Sequence, residues 1–167
     1  KIKHYFGGKF AGRKIDYVIQ PEPKGTFHAV KLASQIFRDG DFLIVSGDDI
    51  YSRADLRKVV KSQRLSLLAN ETKSPERFGI CKLDADGYLE SLVEKPQIFC
   101  GSLANIGVYK LNEKIFAEPI IIGPNGEELL APMIGTLASS HRIEVIPATF
   151  WHPIADLNDL EKAQRIL

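Results

Sequence analysis

Two adjacent carboxylates close a short apolar run, where residues 42–51 read Phe-Leu-Ile-Val-Ser-Gly-Asp-Asp-Ile-Tyr. Carboxylate oxygens suit a hard cation such as Mg²⁺, and one or two are enough because that ion keeps several of its waters. Asp48 is the candidate ligand. The Gly47-Asp48-Asp49 step also reads as a turn whose aspartate caps the following helix, since Gly and Asp are ordinary turn residues. A second charged group, Glu94-Lys95-Pro96, sets a carboxylate and an ammonium beside a proline that restricts the backbone before it. Zinc chemistry finds no donor set. Cys81 and Cys100 lack CxxC spacing and read as reduced structural thiols, and His4, His28, His141 and His152 form no ligand pair.

These residues must be positioned by strands and helices. The apolar run from Phe42 reads as an interior parallel strand, and in such sheets ligands bind beyond the carboxyl ends of the strands. Ahead of it, residues 15–20 read as a strand and residues 21–25 (Pro-Glu-Pro-Lys-Gly) as a loop. Thr26 then caps a helix carrying Val30, Leu32, Ala33, Ile36 and Phe37 that ends at Asp39-Gly40. Such a crossover makes the two strands parallel. Ser52 and Asp55 announce another capped helix, with Leu56, Val59 and Val60 on one face. A strand over 65–69 follows, then a hairpin of 78–83 and 88–93 around Asp84-Ala85-Asp86-Gly87. The remaining chain reads as a strand over 103–111, a helix over 127–137, a strand over 143–147 and a closing helix over 157–167. The class is α/β with a mixed sheet.

Composition narrows the function. The chain has 167 residues, 44% hydrophobic and 26% charged, which fits one ordinary globular domain over 1–167 with no second domain. Its 22 basic and 21 acidic residues nearly cancel, so no broad positive surface is offered to a nucleic acid. No apolar run has the length of a membrane span or a signal peptide, and the expected compartment is the cytoplasm.

Four segments taken together resemble the nucleotidyltransferases that make nucleotide sugars, especially the sugar-1-phosphate uridylyl- and thymidylyltransferases. They are Gln20 to Thr26, Gly47-Asp48-Asp49, Phe78-Gly79 leading to Glu94-Lys95-Pro96, and Asn105-Ile106-Gly107-Val108-Tyr109. The resemblance runs over essentially the whole chain. It implies a Rossmann-like, mostly parallel sheet flanked by helices, of the nucleotide-diphospho-sugar transferase type. It also implies a reaction in which the phosphate of a sugar 1-phosphate attacks the α-phosphate of a nucleoside triphosphate in line, releasing pyrophosphate. By the same resemblance Asp48 holds Mg²⁺, Lys95 faces the sugar phosphate, and Glu94 accepts hydrogen bonds from sugar hydroxyls. Gly79, Asn105 and Asp49 lie near the sugar, Asp49 having capping as its alternative role, and Gln20 with Gly25 meets the base. UTP or dTTP and glucose 1-phosphate are the favoured substrates. His28, in the first turn of a helix, reads as structural.

Two departures from the family pattern shape the expectation. The family's glycine-rich triphosphate loop follows its first strand, and Gly7-Gly8-Lys9 is too short and lacks a buried strand before it. The chain therefore resembles the family from partway in, the N-terminal strand and loop lying outside it, and by itself it is expected to be inactive. The family's Trp-x-Asp-x-Gly pattern becomes Trp151-His152-Pro153-Ile154-Ala155, with proline where a second metal carboxylate is often found. Asp156 and His152 are the available substitutes, Asp156 also being placed to cap the last helix. Two rival readings follow: a non-catalytic paralogue that binds a nucleotide sugar and regulates a partner, and a glycosyltransferase that uses a nucleotide sugar. Whether copies of the chain form a homo-oligomer is left open.

Overall fold

The computed structural model describes residues 1–37 and 40–166. In chain order these form α1 (Ile2–Phe6), β1 (Lys9–Phe10), β2 (Arg13–Lys14), α2 (Thr26–Ala33), β3 (Phe42–Val45), β4 (Asp49–Tyr51) and α3 (Arg53–Lys61). There follow β5 (Leu65–Glu71), β6 (Gly79–Leu83), β7 (Leu89–Glu94), β8 (Leu103–Leu111), α4 (Leu130–Ala138), β9 (Ile143–Pro147), β10 (Trp151–Pro153) and α5 (Leu157–Ile166). Successive side chains of a strand point to opposite faces, so Leu67 and Leu68 of β5 enter two different cores. One core lies under α2 and α4, where Phe27, Met133, Ile134 and Leu137 are fully buried. The other lies under α3, whose Val59 meets Leu68, Ile106, Val108 and Ile146. Helices on both faces of a mixed sheet give the expected α/β architecture.

The main sheet has six strands, in the order β7-β6-β8-β5-β9, with β3 also paired to β8. β3, β5, β6 and β9 run one way, and β7 and β8 run the other. Sharing a direction does not make these strands parallel neighbours. β8 is threaded in reverse between β3 and β5, so β5 with β9 is the one parallel pair among the described residues, and the expectation of mostly parallel pairing is corrected. β3 is likewise not an interior parallel strand. Among the described residues it pairs antiparallel with β8 alone, Phe42 and Ile44 pack into the core, and Leu43 and Val45 face outward, 40% and 42% exposed.

Three further expectations shift for physical reasons. Residues 15–20 are not a strand, because no neighbouring strand supplies a ladder among the described residues, and Ile19 is exposed. The helix expected from Glu127 begins at Leu130, because Glu127 and Glu128 bond to loops instead. Gly123 N–H donates to the Glu127 carbonyl, and Glu128 N–H to that of Lys24. Gly25 rather than Thr26 occupies the N-cap of α2, and the Thr26 hydroxyl accepts from Leu130 N–H, tying α2 to α4. The stop signal at Asp39 and the last helical residue, Leu167, lie outside the described residues. Cys81 and Cys100 are both free, and burial pushes the Cys81 thiol up to about 12. Among the described residues, no helix is long and apolar enough to cross a membrane.

The cap expected on α3 is present: Ser52 accepts from Ala54 N–H. Asp55 does something the sequence did not indicate. Its fully buried carboxylate accepts from Thr149 N–H (2.6 Å) and the Thr149 hydroxyl (2.8 Å) and pairs with Lys58 (2.8 Å), tying α3 to the turn before β10. Burial pushes this carboxyl up, but the Lys58 ammonium and the two Thr149 donors outweigh it and hold it below its ordinary value. Replacing Asp55 by Ala is expected to destabilise the protein by about 2–3 kcal/mol, because it strands the Thr149 N–H and removes a charged acceptor. Because the folded-state pKa is the lower one, this contribution is present above the unfolded carboxyl's pKa and fades as pH falls through the folded one. Urea unfolding of both proteins near neutrality and in acid checks this: the gap should narrow in acid, and a gap of constant size would refute it.

Candidate active site

A cleft of about 590 Å³ opens where the ends of β3 and β7 and the middle of β8 meet. Six of the sequence-selected residues line it: Asp48, Asp49, Gly79, Glu94, Lys95 and Asn105. Gln20 and Gly25 do not line it, although their neighbour Thr26 does. The chain thus brings together side chains as far apart in sequence as Asp48 and Asn105 because β8 is the shared floor. Ser46 N–H donates to the Gly107 carbonyl (2.9 Å), which pins the exit of β3 onto β8. A side chain at Gly107 would run into the Ser46 hydroxyl, so the close approach depends on glycine there.

The acidic wall is a turn followed by a two-stranded ribbon. Asp48 is exposed in the turn, and its carbonyl accepts from Ile154 N–H (3.1 Å). Asp49 starts β4, which pairs antiparallel with β10 so that Tyr51 lies opposite Trp151 and Asp49 opposite Pro153. Directly opposed residues share a face of such a ribbon, which places all four of these side chains on one side. Asp49 Oδ2 accepts from the Trp151 indole N–H (2.9 Å) and lies 3.1 Å from the Tyr51 hydroxyl. That hydroxyl has one proton and a closer acceptor, the Ile106 carbonyl at 2.7 Å. Burial, with the Asp49 charge beside it, raises the Tyr51 pKa further.

The opposite wall is the β6–β7 hairpin. Gly79 lies across from Glu94, and burial raises the Glu94 carboxyl above its ordinary value, opposed by the neighbouring Lys95 charge. Lys95 is exposed and has φ +42, in the left-handed region, with its N–H donated to the Phe78 carbonyl (3.0 Å) and buried Pro96 behind it. Nothing in the sequence signals that backbone conformation. Between the walls, Asn105 donates to the Tyr109 hydroxyl (2.6 Å) and accepts from Gly107 N–H (3.2 Å). Burial also pushes the Tyr109 hydroxyl well above its usual range.

Several residues have internal commitments that limit their roles. The Gln20 amide nitrogen lies within hydrogen-bonding reach of the Gly25 carbonyl (3.2 Å) and His28 Nδ1 (2.9 Å), so this side chain and His28 shape the start of α2. Gly25 makes its close approach to the protein's own Glu128 backbone. Asp156 accepts from Asp159 N–H (2.9 Å) and caps α5, while His152 Nε2 meets the Asp159 carbonyl (2.9 Å). Neither lines the cleft, and both are engaged with Asp159. The donors at the rim are carboxylate oxygens, and among the described residues no three His, Cys, Asp or Glu side chains cluster as a closed metal cage would require. Adjacent carboxylates without a cage fit a hard cation that completes its shell with water and phosphate oxygens. Tyr51 and Trp151 were not selected from the sequence as partners of Asp49, because the pairing that unites them spans about one hundred residues.

A helix-flanked mixed sheet whose cleft is lined by two adjacent carboxylates and an ammonium defines an α/β protein. A family model described as nucleotidyl transferase matches residues 3–164, and the chain belongs to that family. The bifunctional protein GlmU of Methanocaldococcus jannaschii is 32% identical over 170 residues, which cover 100% of this chain and 40% of that protein. A bifunctional sugar-1-phosphate nucleotidylyltransferase/acetyltransferase of Sulfurisphaera tokodaii is 33% identical over 150 residues, covering 87% of this chain and 36% of that protein. The chain thus spans about 40% of the length of these relatives or less. Its fold matches a protein of Bacillus anthracis assigned as a glucose-1-phosphate thymidylyltransferase, with a TM-score of 0.82 and 19% identity over 99% of this chain and 70% of that one.

Proposed function

We propose that the protein carrying this chain transfers a nucleotidyl group from a nucleoside triphosphate to a sugar 1-phosphate, with UTP or dTTP and glucose 1-phosphate as the favoured pair. The observation that supports this reading is that Lys95 and Asp48 both line one cleft. A phosphate oxygen of the sugar 1-phosphate forms a bond to the α-phosphorus, and the bond from that phosphorus to the β-phosphate oxygen breaks. Pyrophosphate leaves with the electron pair. Both reactants are anions, so the protein's task is positioning and charge neutralisation.

Lys95 binds the sugar phosphate and offsets charge as the new bond forms. Glu94, Asp49 and Asn105 orient the sugar, and Thr26, which lines the cleft, sets the segment it ends beside the base. Asp48 holds Mg²⁺, which when bound neutralises charge on the phosphates. The relative of Sulfurisphaera tokodaii, by its name a sugar-1-phosphate nucleotidylyltransferase/acetyltransferase, supports the reaction class.

Pyrophosphate release by the full protein, assayed with UTP or dTTP and glucose 1-phosphate and then with other common pairs, tests the proposal. Release that needs both substrates is the expected result. Pro153 opposite Asp49 gives one specific reason to weigh the regulatory reading. Tight binding of a nucleotide sugar with no pyrophosphate from any pair would favour that reading, and sugar transfer from a nucleotide sugar to an acceptor would favour a glycosyltransferase.

A further inference from the structure

Trp151 is the single tryptophan of the chain and touches both walls of the cleft. Its indole N–H donates to Asp49 on the acidic wall. Its ring meets Phe78 edge to face, with centroids 5.2 Å apart and planes at 74°. Phe78 belongs to the other wall, since its carbonyl accepts the Lys95 N–H. Three segments distant in sequence, around residues 49, 78 and 151, therefore converge on one side chain.

We propose that Trp151 is a positioning residue: it fixes the Asp49 carboxylate toward the sugar hydroxyls of the bound sugar 1-phosphate and ties that wall to the wall carrying Lys95. An indole nitrogen can donate and cannot accept, so its role toward Asp49 is unambiguous. The other candidate donor, the Tyr51 hydroxyl, lies closer to the Ile106 carbonyl, which leaves Trp151 as the firm partner. Pro153, on the same face and opposite Asp49, has no polar side-chain atom to offer that carboxylate. The edge-to-face contact restricts rotation of the indole, so the N–H is aimed before any ligand arrives. The ligand half of this inference rests on the sugar-1-phosphate reading. The Trp151–Asp49 half stands on the structure alone.

Trp151→Phe keeps a ring against Phe78 and removes the donor. In the full protein it is expected to raise KM for glucose 1-phosphate about tenfold, the scale of a hydrogen bond to a charged group, and to leave KM for the triphosphate within about twofold. The double variant Trp151→Phe/Asp49→Ala should bind glucose 1-phosphate no worse than Asp49→Ala alone, because alanine removes the acceptor of the indole N–H and the two residues act as one unit. Additive losses would mean that Trp151 acts through packing only and would overturn the proposal. The Trp151 indole N–H resonance, assigned by its loss in Trp151→Phe or by labelling if that variant does not fold, supplies a second readout. Asp49→Asn should shift this resonance without ligand, and an unmoved resonance overturns the proposal. If the native protein shows no turnover while the resonance does shift, the nucleotidyl-transfer reading fails and the Trp151–Asp49 coupling stands.

Discussion

Asparagine in place of Asp48 is expected to lower the rate of pyrophosphate release by about 100-fold or more, the scale seen when a charge-stabilising group is removed from a phosphoryl-transfer or oxyanion site. The substitution keeps the volume of the side chain and removes its charge. Asp48 sits exposed in a turn, and the bond that holds the turn to Ile154 uses the Asp48 backbone carbonyl, which the change leaves intact. Thermal unfolding should therefore stay within about 1 °C of the native value, as for surface substitutions that break no special contact. Titration with Mn²⁺ in place of Mg²⁺ would add a direct reading, because the variant should need much more metal to reach half of its residual rate. A native rate for Asp48→Asn would reject Asp48 as the cation ligand and leave the acidic wall to Asp49.

Alanine in place of Gly25 is expected to act on the fold, at about 3 kcal/mol. Two independent terms contribute. Gly25 has φ +102, a conformation in which a side chain is strained, and a Cβ there would press on the Glu128 carbonyl oxygen and lie 2.6 Å from the Glu128 nitrogen. The obstacle is backbone and cannot swing aside. It is held by Glu128 N–H on the Lys24 carbonyl (2.7 Å) and Phe27 N–H on the Glu128 carbonyl (3.0 Å), so relief would break the junction of α2 with the segment before α4. Gly126, with φ +77 and open space where its Cβ would be, separates the two terms. Its alanine variant should lose about 1 kcal/mol from the backbone term alone. Urea unfolding of both variants is the measurement, and equal losses would show that the Glu128 contact costs nothing.

Long elements with a clear period were legible in the sequence. The limits of β8 and β9 match those expected, and over the nine residues of β8 burial nearly alternates, which leaves little ambiguity there. Direction and pairing were less legible. The strand from Phe42 carries the composition of a buried parallel strand, yet among the described residues it pairs antiparallel with β8 and its Leu43 and Val45 are exposed, because composition does not encode which neighbour a strand receives or what covers its faces. The β4–β10 ribbon was invisible because three-residue strands have no period, and its pairing joins residues near 50 to residues near 152. For the site, the four charged residues Asp48, Asp49, Glu94 and Lys95 were readable as types at or just beyond strand ends, and with Gly79 and Asn105 they make six of the eight that gather in one cleft. Gln20 and Gly25 went elsewhere because the amide nitrogen of one and the bare Cα of the other meet the protein itself. Hydrogen-bond partners of that kind emerge only from the folded arrangement.

Under the role proposed for Lys95, its backbone sets function against durability. A side chain at φ +42 costs about 1 kcal/mol that glycine would not incur. A library of variants screened for heat resistance would therefore tend to enrich glycine at position 95, even though glycine deletes the ammonium from the cleft. Thermostability and turnover would then diverge at a single codon, and engineering of this protein should hold that position fixed and look for its gains elsewhere.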